Sequence, residues 1–380
     1  MICFLTCRTD DPETGALYTA NGFADELKGC FPERCRGLFV CSDPNGWDRT
    51  DRFALFVKQG FENSGLFFDT YLVLDGRNGQ DAAELVKGSD LVILAGGHVP
   101  TQNRFFQEIG LRDIMEEYCG IVIGVSAGSM NSADVVYAQP EQEGEATDPS
   151  YERFLTGLGL TKTMLLPHYQ EVKDNILDGL RLFEDITLPD SAGKVFYAIP
   201  DGSYLLIKDG SETLRGEAYE IRNENMRRIS SEGETVLLGP SGPVNITKME
   251  FKKGYGWKAC YDKEQGRYFG EYGGIMSYNL YELTEEQYEL LRSEMTEGDA
   301  SAVMYEGRHL FMSVDDRCGP PYTIIFDDEC KELCPWAKFI GGGKVWPDEL
   351  TDAAVELFAS EENNREQRRR KRKEREKDNS

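Results

Sequence analysis

The sequence predicts an α/β domain, a mostly parallel sheet with helices on both faces, followed by a smaller C-terminal α+β region. Three observations carry that prediction. Through the first 210 residues, short apolar runs alternate with helix-length amphipathic segments, the pattern of a parallel sheet whose crossovers cover it. The alternation ends at a turn-rich punctuation, Gly239-Pro240-Ser241-Gly242-Pro243. Beyond it, residues 244–345 are rich in Tyr, Trp and Gly.

Taken in order, the apolar runs at 2–6, 37–41, 70–74, 90–94, 120–125, 163–166, 195–199 and 204–207 have strand length. Helices are expected between them at 52–63, 81–87, 102–117 and 171–182. The resulting first domain spans 1–238. In the second, 244–345, Thr284-Glu285-Glu286-Gln287 reads as a capping box with Leu283 and Tyr288 as its hydrophobic staple. Residues 346–380 read as an amphipathic helix running into a charged, frayed tail.

Composition narrows the function classes. Charged residues at 29% and hydrophobic residues at 40% suit a chain that folds in water. No run approaches the roughly 18 apolar residues of a membrane helix, and the start of the chain reads as a strand, not a signal peptide. The net charge is −25, and the first 360 residues carry −28, so the body repels nucleic acid and anionic membranes. The basic run Arg368-Arg369-Arg370-Lys371-Arg372-Lys373 lacks aromatic neighbours and reads as solvated. Ten cysteines, none in a Cys-x-x-Cys pair, suggest free thiols in a reducing cytoplasm and no zinc site.

The chemistry concentrates where strands should end. The run Gly120 to Val125 passes through Gly124-Val125-Ser126-Ala127-Gly128, a G-x-S-x-G turn into a helix-compatible segment. A serine on such an elbow is exposed in strained backbone, beside a helix N-terminus that favours negative charge. The chain has three histidines, His98, His168 and His309, so a serine nucleophile has few bases to choose from. His168 closes the run Met164-Leu165-Leu166-Pro167 and is expected at the carboxyl end of a central strand, on Ser126's edge of the sheet. Between Ser126 and His168, Glu141, Glu143 and Glu145 qualify as the acceptor that fixes the imidazole. The amides of Gly97, in Ala95-Gly96-Gly97-His98, and of Ala127 could form an oxyanion hole. No metal or organic cofactor is required by this chemistry.

These segments, with Phe105 to Leu111, Leu166-Pro167-His168-Tyr169 and Ile199-Pro200-Asp201-Gly202-Ser203, resemble the dipeptidase E and cyanophycinase family of serine peptidases over about residues 1–235. The resemblance implies a class I glutamine amidotransferase-like sheet, Ser126 as nucleophile, His168 as base, Gly97 and Ala127 as oxyanion donors, and Glu141 or Glu145 as the acid. It implies a small peptide substrate, hydrolysed through an acyl-enzyme, and leaves open a homodimer. Of the family's arginine-bearing segment after the histidine, only Lys173 and Arg181 stand nearby, so neutral or basic peptides are the expected preference. Two rival readings stand beside it. One is an α/β-hydrolase-type esterase with His309 as base; the other is a catalytically silent protein that binds a peptide or amino acid.

Overall fold

The computed structural model describes residues 1–337 apart from 209, 240, 241, 274, 275, 316–319 and 335. The amphipathic helix and basic tail expected over 346–380 lie outside the described residues. The chain divides into two compact units, Met1–Thr235 and a second beginning at Val236.

In the first unit the elements run β1 (Ile2–Thr6), α1 (Phe23–Cys30), β2 (Cys35–Val40), α2 (Trp47–Asn63), β3 (Phe68–Leu74), α3 (Ala82–Lys87), β4 (Leu91–Leu94), α4 (Val99–Glu108), α5 (Leu111–Glu116), β5 (Ile121–Val125) and α6 (Ala127–Asn131). They continue through β6 (Val135–Tyr137), β7 (Phe154–Thr156), β8 (Met164–Leu166), α7 (Tyr169–Val172), β9 (Ile176–Leu177), β10 (Leu180–Arg181), β11 (Val195–Ala198), β12 (Tyr204–Lys208), β13 (Ser211–Arg215), β14 (Ala218–Arg222) and β15 (Asn225–Ser230).

Within this unit the central sheet has the order β13-β12-β1-β5-β4-β2-β3. The pairs β1/β5, β5/β4, β4/β2 and β2/β3 are parallel, while β12 and β13 join antiparallel. Strands β1, β4 and β5 are apolar along their length because both faces are covered, and Phe4, Phe39, Ile93 and Ile123 are fully buried. The fold is therefore the mixed, mainly parallel sheet that the alternation predicted.

Three expectations need correcting. The strand carrying His168 is not central: β8 lies in a separate four-stranded sheet, β15-β14-β11-β8, paired parallel to β11. The helix expected at 171–182 stops after α7, because Asp178 (φ 53°) and Gly179 (φ 82°) turn the chain into a β9/β10 hairpin. Asp-Gly is a preferred pair for such a two-residue turn. The helix expected at 102–117 is also interrupted, at Gly110, whose φ of 64° separates α4 from α5.

In the second unit β16 (Thr235–Gly239) and β17 (Gly242–Asn245) form a hairpin. An antiparallel meander follows: β18 (Met249–Gly254), β19 (Trp257–Asp262), β20 (Arg267–Gly273), β21 (Ser277–Leu283), β22 (Arg308–Val314) and β23 (Tyr322–Ile325). Helices Glu285–Leu290 and Glu297–Met304 sit between β21 and β22. Thr284 caps the first of them reciprocally with Gln287, as the capping box requires, and Leu283 and Tyr288 are both buried in one cluster.

Candidate active site

The turn from β5 into α6 depends on two glycines. A Cβ at Gly124 would stand 2.8 Å from Ser129 Cα, and one at Gly128 would stand 2.3 Å from the Leu94 carbonyl oxygen. Only hydrogen at both positions lets α6 fold directly back against β5 and β4. Between them Ser126 adopts φ 49°, ψ −110°, a conformation costing a non-glycine residue about 1–3 kcal/mol. The surroundings hold it there: the Ser126 amide donates to Thr6 O at 2.9 Å, and Ser129 Oγ donates to the same carbonyl at 2.7 Å.

The turn after β4 packs onto the serine. A Cβ on Gly96 would approach Ser126 Cβ to 3.3 Å, and one on Gly97 would meet Ser42 Oγ at 2.3 Å. Gln102 secures this turn by donating to Ala95 O at 2.7 Å, and Asn131 binds Val99 O at 3.2 Å and Gln102 Oε1 at 3.0 Å. Among the described residues neither the Gly97 amide nor the Ala127 amide meets an acceptor. Ala127 is the first residue of α6, where an N–H has no intrahelical acceptor.

His168 follows β8 through Pro167 and sits in left-handed backbone, φ 60°, ψ 30°. Its amide donates to Cys7 Sγ at 3.2 Å, and the Cys7 thiol donates to Ile199 O at 3.4 Å, so the residue after β1 ties the β8 and β11 ends to the central sheet. His168 Nδ1 lies 2.8 Å from Asp201 Oδ1. That pairing follows from register. Leu166 is level with Ala198 in the parallel β8/β11 pair, so residues two or three beyond each strand end emerge side by side. Burial alone would raise the Asp201 pKa, but hydrogen bonds from His168 and Gln170 and the nearby charges of His168 and Arg8 bring it below the ordinary value. Cys7, His168 and Asp201 offer ligand-type atoms within 4.8 Å of one another. Burial pushes the Cys7 thiol pKa well up, and its sulfur and the Asp201 carboxylate are already hydrogen-bonded, so the trio reads as a support for the imidazole.

The loop glutamates do not meet His168. Glu145 Oε1 lies 2.8 Å from His98 Nε2, and Oε2 accepts the amides of Glu141 and Gln142, each at 2.9 Å. Both oxygens are therefore spent within the loop and on a different histidine. Glu141 is exposed and contributes its backbone to this arrangement. His309, in the second unit, is stacked between Tyr281 and Phe326 at 4.3 and 4.0 Å and does not line the Ser126 cavity. Asp201 stands within a segment that the sequence had marked, yet nothing local distinguished it from the loop carboxylates. The usable signal was its place just beyond the strand that pairs with the His168 strand.

Ser126, His168, His98, Gly96 and Gly97 line one cavity of about 710 Å³ at the carboxyl edge of the sheet. Ser126 Oγ makes no hydrogen bond among the described residues, and such contacts are often open until substrate binds. Helix α2 supplies the opposite wall with Arg49, Thr50, Arg52, Phe53 and Phe56. Arg181 instead pairs with Asp185 outside the cavity, and Lys173 is not among its lining residues.

A serine on a strained elbow, a carboxylate-backed histidine on the same cavity and unsatisfied amides beside the serine define the class of serine hydrolases. The profile of peptidase family S51 matches residues 46–215, a segment that holds Ser126, His168 and Asp201. Among solved structures, a peptidase from an acI-B1 Actinobacterium is 16% identical, with a TM-score of 0.47 over 62% of this chain and 96% of that one. A candidate peptidase E protein from Listeria monocytogenes EGD-e is 15% identical, with a TM-score of 0.38 over 60% of this chain and 98% of that one. No curated protein matches the chain. Among the described residues no helix is long and apolar enough to cross a membrane.

Proposed function

We propose that the chain hydrolyses short peptides through Ser126, His168 and Asp201. Ser126 Oγ attacks the scissile carbonyl while His168 Nε2 takes the hydroxyl proton, and the new C–O bond pushes negative charge onto the carbonyl oxygen. The Gly97 and Ala127 amides receive that charge. Collapse of the adduct breaks the C–N bond, His168 returns the proton to the departing amine, and an acyl-Ser126 ester remains. Water then attacks the ester by the same sequence, with His168 again accepting and returning one proton. Asp201 accepts Nδ1–H throughout, fixes the tautomer that leaves Nε2 as base, and stabilises the imidazolium.

The observation that supports this reading is the 2.8 Å contact between His168 Nδ1 and Asp201 on a cavity also lined by Ser126. It favours Asp201 over Glu141 and Glu145 as the acid. Labelling with a fluorophosphonate tests it: mass analysis should find the adduct on Ser126, and Ser126→Ala should take up none. A labelled Ser126→Ala protein, or peptidase activity surviving in it, removes the assignment.

The cavity wall bears on the substrate. Arg49 and Arg52 make no ion pair among the described residues, and Thr50 beside them is 7% exposed with an unpartnered hydroxyl. These groups, at the start of α2, favour a substrate carrying a carboxylate. The sequence alone favoured neutral or basic peptides because it gave no way to see α2 turned toward Ser126.

A further inference from the structure

The pair His98–Glu145 is the second histidine–carboxylate contact on the Ser126 cavity. We infer that Glu145 acts through His98 as a positioning residue for the Gly97 oxyanion turn, and takes no part in holding the base. This rests on the Ser126–His168 reading above and adds a role that reading does not need.

The bonds on both sides of the contact support it. His98 directly follows Gly97, and both ring nitrogens are engaged, Nδ1 with Thr101 Oγ1 at 2.8 Å and Nε2 with Glu145 Oε1 at 2.8 Å. A histidine with neither nitrogen free is not available as a base; it is a strut. The Glu145 side chain is 15% exposed and the His98 side chain 20%, so water competes weakly for the contact. The far end of the strut is anchored too. Glu145 Oε2 accepts the Glu141 and Gln142 amides, while the Gly144 and Ala146 amides donate to Asp178 at 2.8 and 3.0 Å. Asp178 is the first turn residue of the β9/β10 hairpin. The loop is thereby a fixed abutment and not a free acidic segment.

Gly97 needs such a strut. Its backbone, at φ 156°, runs tight against Ser42, and its amide meets no acceptor that would hold the peptide plane. Gln102 fixes the chain before Gly97 at Ala95, and Asn131 fixes it after at Val99. The His98 carbonyl accepts from the Gln102 amide at 3.1 Å, and the His98 side chain adds a further restraint next to the peptide that carries the donor. An oxyanion donor displaced by about 1 Å costs up to roughly a hundredfold in turnover while leaving ground-state binding in place.

A double-mutant cycle in the full chain separates acting through His98 from acting on His168. His98→Ala and Glu145→Ala should each lower kcat about tenfold to a hundredfold with KM within about threefold, and the double variant should be no worse than either alone. Affinity for a peptide aldehyde, which forms the tetrahedral adduct, should fall by the same factor as kcat, and His98→Gln, whose amide can still reach Glu145, should restore part of it. The inference is overturned if Glu145→Ala lowers kcat as much in the His98→Ala background as in the native chain, or if KM takes the whole effect. If instead Ser126→Ala or His168→Ala remains active, it is the underlying serine-peptidase assignment that fails. Each single variant is compared by thermal melting, and loss of Glu145→Ala to misfolding leaves Glu145→Gln, which retains the Oε1 acceptor and should lose less activity, to decide.

Discussion

His168 Nδ1 lies 2.8 Å from Asp201 Oδ1, and the two residues reach each other because β8 and β11 are parallel partners that end level with one another. In the proposed mechanism this contact leaves the other imidazole nitrogen as the base and makes Asp201 its acid. Asp201→Asn should therefore lower kcat by about a thousandfold or more with the fold intact, since an amide in that place supports the wrong tautomer. Glu141→Gln should change kcat less than threefold. Steady-state kinetics on the two variants checks the order, and a larger loss from Glu141→Gln would return the acid to the loop.

The Asp201 pKa is held below the ordinary carboxylate value, which gives a signed expectation for stability. A carboxylate whose folded pKa is depressed stabilises the fold above its unfolded pKa of about 3.9, and the contribution disappears as pH falls through the lower folded value. Native protein should exceed Asp201→Asn in stability at pH 7, and the gap should close toward the acid end. Urea unfolding at a series of pH values measures it; a gap that widens on acidification contradicts the sign.

The elbow glycines set a packing limit. Gly128→Ala places a methyl 2.3 Å from the Leu94 carbonyl oxygen and 2.8 Å from Leu94 Cβ, and neither β4 nor α6 can yield without moving Ser126. We expect about 1–3 kcal/mol of destabilisation together with loss of fluorophosphonate labelling. Gly144→Ala, where nothing stands within 4 Å although φ is 94°, should keep labelling. Chemical denaturation and labelling on the two variants test whether crowding or backbone strain governs the site.

Much of this was legible from local patterns. Continuous apolar runs such as Leu91-Val92-Ile93-Leu94 specify strands buried on both faces, and Gly124-Val125-Ser126-Ala127-Gly128 specifies the elbow, because both signals are written within a few residues. Asp201 and Cys7 were not legible in the same way. Their roles come from a second sheet packed beside the first, and no periodicity in 163–199 says which sheet a strand will join. The helix expected at 171–182 shows the opposite failure. There the local signal existed, in Asp178-Gly179, and apolar spacing across it was given too much weight. Glu145, a candidate acid for His168 from the sequence, instead meets His98, because the loop folds toward the β4 turn and not toward β8.

The charge of the preferred substrate tests the α2 wall. The first 360 residues carry −28, which disfavours an anionic peptide at long range, while Arg49 and Arg52 line the cavity with no carboxylate of their own among the described residues. Range decides between the two effects. Surface charges more than about 8 Å away are largely screened at physiological salt, whereas a guanidinium in contact with a substrate carboxylate is not. Asp10 is occupied by Arg8 at 2.8 Å, leaving Asp43 and Glu171 as the opposing carboxylates on the lining. One charge-assisted contact of about 1.5–3 kcal/mol corresponds to roughly ten- to a hundredfold in kcat/KM. Peptides with a carboxylate should therefore exceed their amide counterparts by that factor, and Arg49→Gln with Arg52→Gln should erase the difference while leaving hydrolysis of the amides nearly unchanged. The comparison runs over paired acid and amide peptides, once varied at the C-terminus and once at an Asp or Asn side chain, at two salt concentrations. A preference for the amides that survives both arginine substitutions would show that the acidic body, and not α2, governs selection.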